Sequence, residues 1–240
     1  MLTYATSYNL NNCPGVFLYE GIDNSKNANK RLKNGTWTTP VKYTLNSYGY
    51  RCLEFEDIDW DNSILTFGCS HTFGLGVDDT DTWPYQLSKI LDYPVVNLGT
   101  PSAALWSLVP NIKTIAQSFN PKCVILQVPE SNRIANFLEN NYTKTIGPWS
   151  KKGSNEYVYW SERNRWLSNA EKWEEFGIDY INKLLSKGID CSFSLSTSAN
   201  VDFTIKKELD YARDNQHRGP KSNQEIAKKV AKHLLDNNLF

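Results

Sequence analysis

Ser70 stands in Gly68-Cys-Ser-His-Thr-Phe-Gly74, directly after the apolar run Ser63-Ile-Leu-Thr-Phe67. A serine at the carboxyl end of a buried strand exposes its hydroxyl where backbone N–H groups can stabilise an oxyanion. That hydroxyl stays a weak nucleophile until a base takes its proton. The chain offers three histidines, His71, His217 and His233. His71 is too close to Ser70 in sequence to be an obvious in-line base, and His233 falls on a predicted terminal helix. His217, in Asp214-Asn-Gln-His-Arg-Gly-Pro-Lys-Ser222, remains. Asp214 precedes it by three residues, a spacing at which one turn holds a carboxylate against an imidazole and sets its tautomer. Taken singly, a serine in a glycine-flanked loop and an Asp-x-x-His are ordinary turn material. Together, in this order, they describe a Ser-His-Asp acyl-transfer triad.

Such a triad needs elements to position it, and the hydrophobic pattern supplies them from about residue 62 onward. Strands are predicted at 63–67, 94–98, 122–128 and 190–195, each an apolar run bounded by turn residues. Helices are predicted at 82–91, 103–119, 166–186 and 222–235 from apolar residues recurring at helical spacing. Strands alternating with helices imply a parallel sheet covered on both faces, and sites in such sheets gather at the carboxyl ends of the strands. Residues 1–60 read differently, rich in turn signals with short alternating stretches at 41–45 and 50–55. They are expected to form a β-rich appendage packed on a 61–240 domain.

The 240 residues carry 26 basic and 26 acidic side chains, a formal net charge of zero. A nucleic-acid partner is disfavoured, because phosphate binding calls for a basic surplus. The longest apolar runs, such as Cys123–Leu126, fall far short of the roughly 20 residues that span a bilayer. The first residues lack the basic and apolar regions of a secretory signal, so synthesis in the cytoplasm is expected. The five cysteines are scattered without a Cys-x-x-Cys pair, which suggests neither a zinc ribbon nor a redox couple.

The chain resembles the SGNH hydrolases, or GDSL esterases, over roughly residues 46–235. Gly68–Gly74 resembles their first block, with Cys69 where the family commonly has Asp. Asp214-x-x-His217, followed by Gly219, Ser222-Asn223 and Ile226-Ala227, resembles the closing one. Thr82-Trp-Pro-Tyr-Gln-Leu87, Val95-Val-Asn-Leu-Gly99 and Asn46-Ser-Tyr-Gly-Tyr-Arg51 fit the regions between and before them. The resemblance implies a three-layer α/β/α flavodoxin-like fold and a serine esterase without metal or organic cofactor. It implies an oxyanion hole built from the N–H groups of Ser70 and of Ser102 or Gly99, completed by an Asn side chain. The second block is usually Asn-x-x-x-x-Gly, and here Ser102 takes the glycine position. The third is normally Gly-x-Asn-Asp. In Val128-Pro-Glu-Ser-Asn-Arg133 an ungapped match puts Ser131 at the Asn position, and a one-residue shift brings in Asn132.

Between the third strand and the 166–186 helix lies an insertion at 134–164 that mixes aromatics with Asn, Ser, Thr and Lys. Its Trp149 and Trp160 read either as platforms for a sugar or as glue fastening a long loop. Arg218, with Arg213 and Lys221, reads either as a contact for an anionic substrate or as a solvated cluster. The expected activity is removal of a short acyl group, acetyl above all, from a carbohydrate or other polar alcohol. The competing expectation is a non-catalytic binding or structural protein, for example a virion or surface component, that retains the scaffold.

Overall fold

The computed structural model describes residues 15–17, 41, 43–137, 143–165, 167–185, 187–196 and 200–240. Strands β1 (Gly15–Phe17) and β2 (Tyr43–Leu45) pair antiparallel. The central sheet is built from β3 (Ile64–Gly68), β4 (Val95–Gly99), β5 (Cys123–Val128), β8 (Cys191–Ser194) and β9 (Phe203–Thr204), in the order β4-β3-β5-β8-β9. Every pairing in it is parallel. Strands β6 (Ile134–Phe137) and β7 (Thr143–Ile146) form a separate antiparallel pair in the insertion. The helices are α1 (Ser70–Phe73), α2 (Trp83–Leu91), α3 (Leu105–Ser118), α4 (Asn155–Asn164), α5 (Leu167–Leu184) and α6 (Pro220–Asp236).

Alternation along the strands divides the core between the two faces of the sheet, as the two-residue period of a strand requires. Leu65, Phe67, Val96, Leu98, Val124 and Leu126 point to one face, where Leu108 and Ile112 of α3 and Ile178 and Ile181 of α5 cover them. Ile64, Cys123, Ile125, Cys191 and Phe193 point to the other, against Trp83 and Leu87 of α2 and Ile226, Val230 and Leu234 of α6. The result is the three-layer α/β/α, SGNH-hydrolase-like arrangement expected from the sequence. Buried on both sides, β3 and β5 show no exposed position, which is why they read as continuous apolar runs. Among the described residues, no helix is long and apolar enough to cross a membrane.

Most of the 1–60 segment lies outside the described residues. Within the part described, the stretch expected as a strand at 50–55 is a tight loop instead. The Asn46 side chain accepts the N–H groups of Tyr48 (3.0 Å) and Tyr50 (2.9 Å) and donates to Leu53 O (3.0 Å). Gly49 sits there at φ 83°, a left-handed conformation that glycine adopts without steric cost. A side chain that binds three main-chain groups replaces the ladder a strand would need. The loop thereby sends Arg51 inward.

The Arg51 guanidinium is 1% exposed. It pairs with Asp79, donates to the carbonyls of Phe73 (3.1 Å), Gly74 (2.6 Å) and Val77 (3.0 Å), and lies over the Tyr43 ring at 4.7 Å. Arg51→Ala strips three carbonyls of the 73–77 loop of their donor and leaves Asp79 unpaired. Because the Asp79 carboxylate is half exposed and can turn to water, the cost is that of the buried carbonyls left without a donor, about 2–4 kcal/mol, read as a shift of the urea unfolding midpoint.

Candidate active site

β3 ends in Gly68, and the chain then turns through Cys69 into the four-residue helix α1, of which Ser70 is the first residue. The turn is crowded. A Cβ at Gly68 would stand 2.2 Å from Thr72 Oγ1 and 2.7 Å from Gln127 Oε1, so close approach, rather than an unusual φ, demands glycine there. Gln127 on β5 reaches across the sheet, its Oε1 accepting Cys69 N (3.1 Å), Cys69 Sγ (3.2 Å) and Thr72 Oγ1 (3.2 Å). Its Nε2 donates to Val128 O at 2.9 Å. On the other side, Asn97 of β4 donates from Nδ2 to Thr72 O at 2.9 Å. Two strand amides thus hold the turn that presents Ser70.

His217 and Asp214 come from the loop before α6. The Asp214 carboxylate accepts the main-chain N–H groups of Gln216 (3.0 Å) and His217 (2.9 Å) at Oδ1, while Oδ2 meets His217 Nδ1. With Nδ1–H held by the carboxylate, Nε2 carries the lone pair, and it lies 2.8 Å from Ser70 Oγ across 147 residues of sequence. The Asp214 side chain is 2% exposed and that of His217 15%. Burial alone would raise the Asp214 carboxyl. The hydrogen bond and charge of His217, with the two N–H donors, outweigh that and hold it below the usual carboxylate range.

The loop is fastened to both the sheet and α6. Arg213 N donates to Gly76 O (3.2 Å), and Gly76 N donates to Tyr43 Oη (2.8 Å). Asp210 accepts the N–H groups of Lys221 (3.0 Å) and Ser222 (2.8 Å) in the first turn of α6. Arg218 corrects an expectation. It is 3% exposed and donates to the carbonyls of Lys207 (2.7 Å) and Ile205 (2.6 Å). It is neither a substrate contact nor part of a solvated cluster. It staples the loop to the segment after β9. Arg213 is likewise buried, with Asp78 at 3.6 Å, while Lys221 is exposed.

The residues suggested for the oxyanion hole separate into two groups. The N–H of Ser70 has no partner among the described residues. Ser102 sits at φ 61°, a conformation suited to glycine, at the position where the SGNH block carries one. Gly99 does not offer a free donor, since its N–H is committed to Asn97 Oδ1 at 3.0 Å. Asn132 has its carbonyl held by Trp160 Nε1 (2.7 Å) and Asn164 Nδ2 (3.1 Å) from α4. Arg133 beside it donates to Ala103 O (3.0 Å), tying the second-block and third-block loops together. Trp160 therefore acts as a fastener for the 129–133 loop, whereas Trp149 is 46% exposed with the Arg133 guanidinium 5.3 Å from its ring. Ser131 makes no contact that distinguishes it.

Gln127, Arg51, Arg133 and Tyr43 were not singled out from the sequence. For Gln127 the signal was present: an amide inside Cys123-Val-Ile-Leu-Gln-Val128 must find partners once buried. Away from the triad, at the amino end of β8, Cys191, Asp202 and His233 bring one ligand atom each to within 4.8 Å of one another. Asp202 Oδ2 there already accepts Ser192 N (2.6 Å) and Ser192 Oγ (2.9 Å). A cavity of about 700 Å³ beside Cys52, Ile58 and Val95 lies at the amino end of β4 and shares no residue with the triad.

No family profile and no curated protein matches the sequence. Solved structures that resemble it include proteins described as esterases or as members of the G-D-S-L family. One, from Desulfitobacterium hafniense, is described as a lipolytic protein of the G-D-S-L family, with 14% identity, TM-score 0.39, and coverage of 72% of this chain and 100% of that one. A carbohydrate acetylesterase family member from Sinorhizobium meliloti has 12% identity, TM-score 0.44, and coverage of 74% and 98%. An acetyl xylan esterase from Butyrivibrio proteoclasticus has 11% identity, TM-score 0.46, and coverage of 76% and 66%. At these identities the likeness is one of fold.

Two measurements follow from the geometry. His71, whose ring centroid is 4.9 Å from that of His217, has its Nδ1 buried without a partner among the described residues. Burial, and then the charges of His217, Arg133 and Arg218, hold its pKa well below 6.5. The unfolded chain therefore binds a proton that the folded one refuses, and stability falls as pH drops below about 6.5 towards the folded value. His71→Gln should flatten the part of a Tm-against-pH profile that lies below about pH 6.5. Ser102→Gly should raise stability by up to about 1 kcal/mol in urea unfolding, since relief of the left-handed backbone outweighs glycine's extra chain entropy.

Proposed function

We propose that the protein is a serine esterase. The observation that carries this reading is the contact chain from Ser70 Oγ to His217 Nε2 at 2.8 Å, and from His217 Nδ1 to the Asp214 carboxylate. His217 takes the serine proton as Ser70 Oγ attacks the ester carbonyl, and Asp214 stabilises the imidazolium that forms. The oxyanion is met by the N–H groups of Ser70 and Ser102 and by the Asn132 side-chain amide. Collapse of the tetrahedral intermediate releases the alcohol, which takes its proton from His217. Water activated by the same imidazole then clears the acyl-enzyme.

The substrate reading is a short acyl group, acetyl above all, on a carbohydrate or similar polar alcohol. It is supported by the exposed Trp149 ring in an insertion of mixed aromatic and polar composition, since an indole face suits the apolar face of a sugar. The described names of the fold neighbours, an acetyl xylan esterase and a carbohydrate acetylesterase, agree with it.

A fluorophosphonate probe should add once to the protein, at Ser70, by peptide mass mapping. Ser70→Ala should lose both the adduct and hydrolysis of p-nitrophenyl acetate. His217→Ala and Asp214→Asn should each lower kcat/KM by about a thousandfold or more. Labelling at another serine would refute the mechanism. Across p-nitrophenyl esters from acetyl to octanoyl, kcat/KM should fall steeply; a rise would replace the short-acyl reading with a lipase-like one.

A further inference from the structure

The helical layer formed by α3 and α5 carries an aromatic row that the triad does not use. Trp173 is 50% exposed, Phe176 60% and Tyr180 40%. Trp106 of α3 joins them, its ring centroid 6.1 Å from Trp173 and 6.1 Å from Tyr180, with Trp173 6.3 Å from Phe176. The buried side of α5 is complete without these rings, through Ala170, Glu174, Ile178 and Ile181. Gly177 lets α5 approach Leu105 closely, since a Cβ there would lie 2.7 Å from its Cδ2. Trp106 packs partly buried against the core, whereas Trp173, Phe176 and Tyr180 are surplus to it, and an exposed cluster of this kind marks a contact surface.

The place of the row in the fold says what reaches it. α3 begins at Leu105, just beyond the Thr100–Ala104 loop that carries Ser102 at the carboxyl end of β4. Trp106, in the first turn, is thus at the end of the sheet that presents Ser70. Its ring lies between Trp173 and Tyr180 of α5, which are about 10 Å apart along the helix axis. The exposed charges on α5 are Lys172 and Lys183 against Glu171, Glu175 and Asp179, two basic and three acidic. Such a surface gives no positive field to attract a polyanion, while its charged groups can bond hydroxyls. Indole and phenol rings stack on the apolar faces of sugar rings.

We propose that the α3/α5 aromatic row is a second binding platform for an uncharged polysaccharide, which holds a polymeric substrate beside the triad. This rests on the esterase reading above and extends it from a small ester to an acylated glycan chain. Trp106 backs the row from α3, and the exposed Trp173, Phe176 and Tyr180 rings hold successive units of the chain.

The test is native gel electrophoresis through acetylated xylan, glucomannan or polygalacturonate, using the full chain and its Ser70→Ala form. At least one of the two neutral polymers should retard both forms. Trp173→Ala combined with Phe176→Ala should weaken retardation at least tenfold, and Trp173→Tyr should retain most of it. Both changes are at exposed positions, so kcat/KM on p-nitrophenyl acetate should stay within twofold, while release of acetate from the retarding polymer falls about tenfold. No retardation by either neutral polymer, equal retardation of the double variant, or stronger retardation by polygalacturonate would overturn the platform. So would sedimentation showing a dimer that the double variant dissolves, which would put a second copy of the chain on the row. If p-nitrophenyl acetate is not hydrolysed the esterase reading fails, and the retardation of the Ser70→Ala form still decides the platform.

Discussion

A four-residue helix buried at the end of a parallel sheet cannot satisfy its own backbone, and much of the surrounding polar chemistry answers that constraint. Turns of this kind usually lie where water can reach them. Here the Cys69 N–H goes to Gln127, the Thr72 carbonyl to Asn97, and the Phe73, Gly74 and Val77 carbonyls to Arg51. The Gly76 N–H goes to Tyr43. The donors and acceptors come from β5, β4, the loop before β3, and β2. Four separate parts of the chain therefore converge on one turn, and Ser70 is presented rigidly as a consequence.

The same reasoning covers the opposite partner. The loop that carries His217 has little regular structure, and it stays in place because Asp214 closes it from within while Arg218 and Asp210 tie it to the β9 segment and α6. Arg213 N binds Gly76 O, so the two halves of the triad share a boundary. A distance of 2.8 Å between Ser70 Oγ and His217 Nε2, 147 positions apart, follows from main-chain hydrogen bonds on either side of that boundary.

The layered fold and the contact of Asp214 with His217 were legible because their signals are strong and local. Apolar runs mark β3, β4, β5 and β8, helical periodicity marks α2, α3, α5 and α6, and a short spacing places Asp214 beside His217. What stayed hidden depends on contacts between distant segments. α4 buries no residue, so it has no apolar face to read, and its fastening of Asn132 through Trp160 emerges only in three dimensions. Residues 50–55 have apolar alternation, yet the Asn46 side chain supplies the bonds that a partner strand would otherwise make. Arg218 looked like a solvated charge because a sequence shows an arginine's sign and conceals the carbonyls around it. Trp149 and Trp160 have the same composition signal, and only geometry separates an exposed ring from an anchored one.

The Cys69–Gln127 contact bears on how such a site can change over time. The thiol and the N–H of Cys69 both address the Gln127 carbonyl oxygen. An aspartate at position 69 would bring a carboxylate against that oxygen. Turning the amide over would welcome the carboxylate, but would present an NH2 to the Cys69 main-chain N–H and withdraw the acceptor from Thr72. Neither position can drift alone without loosening the turn that holds the nucleophile. The two residues therefore form one unit, in which a change on either side calls for a change on the other.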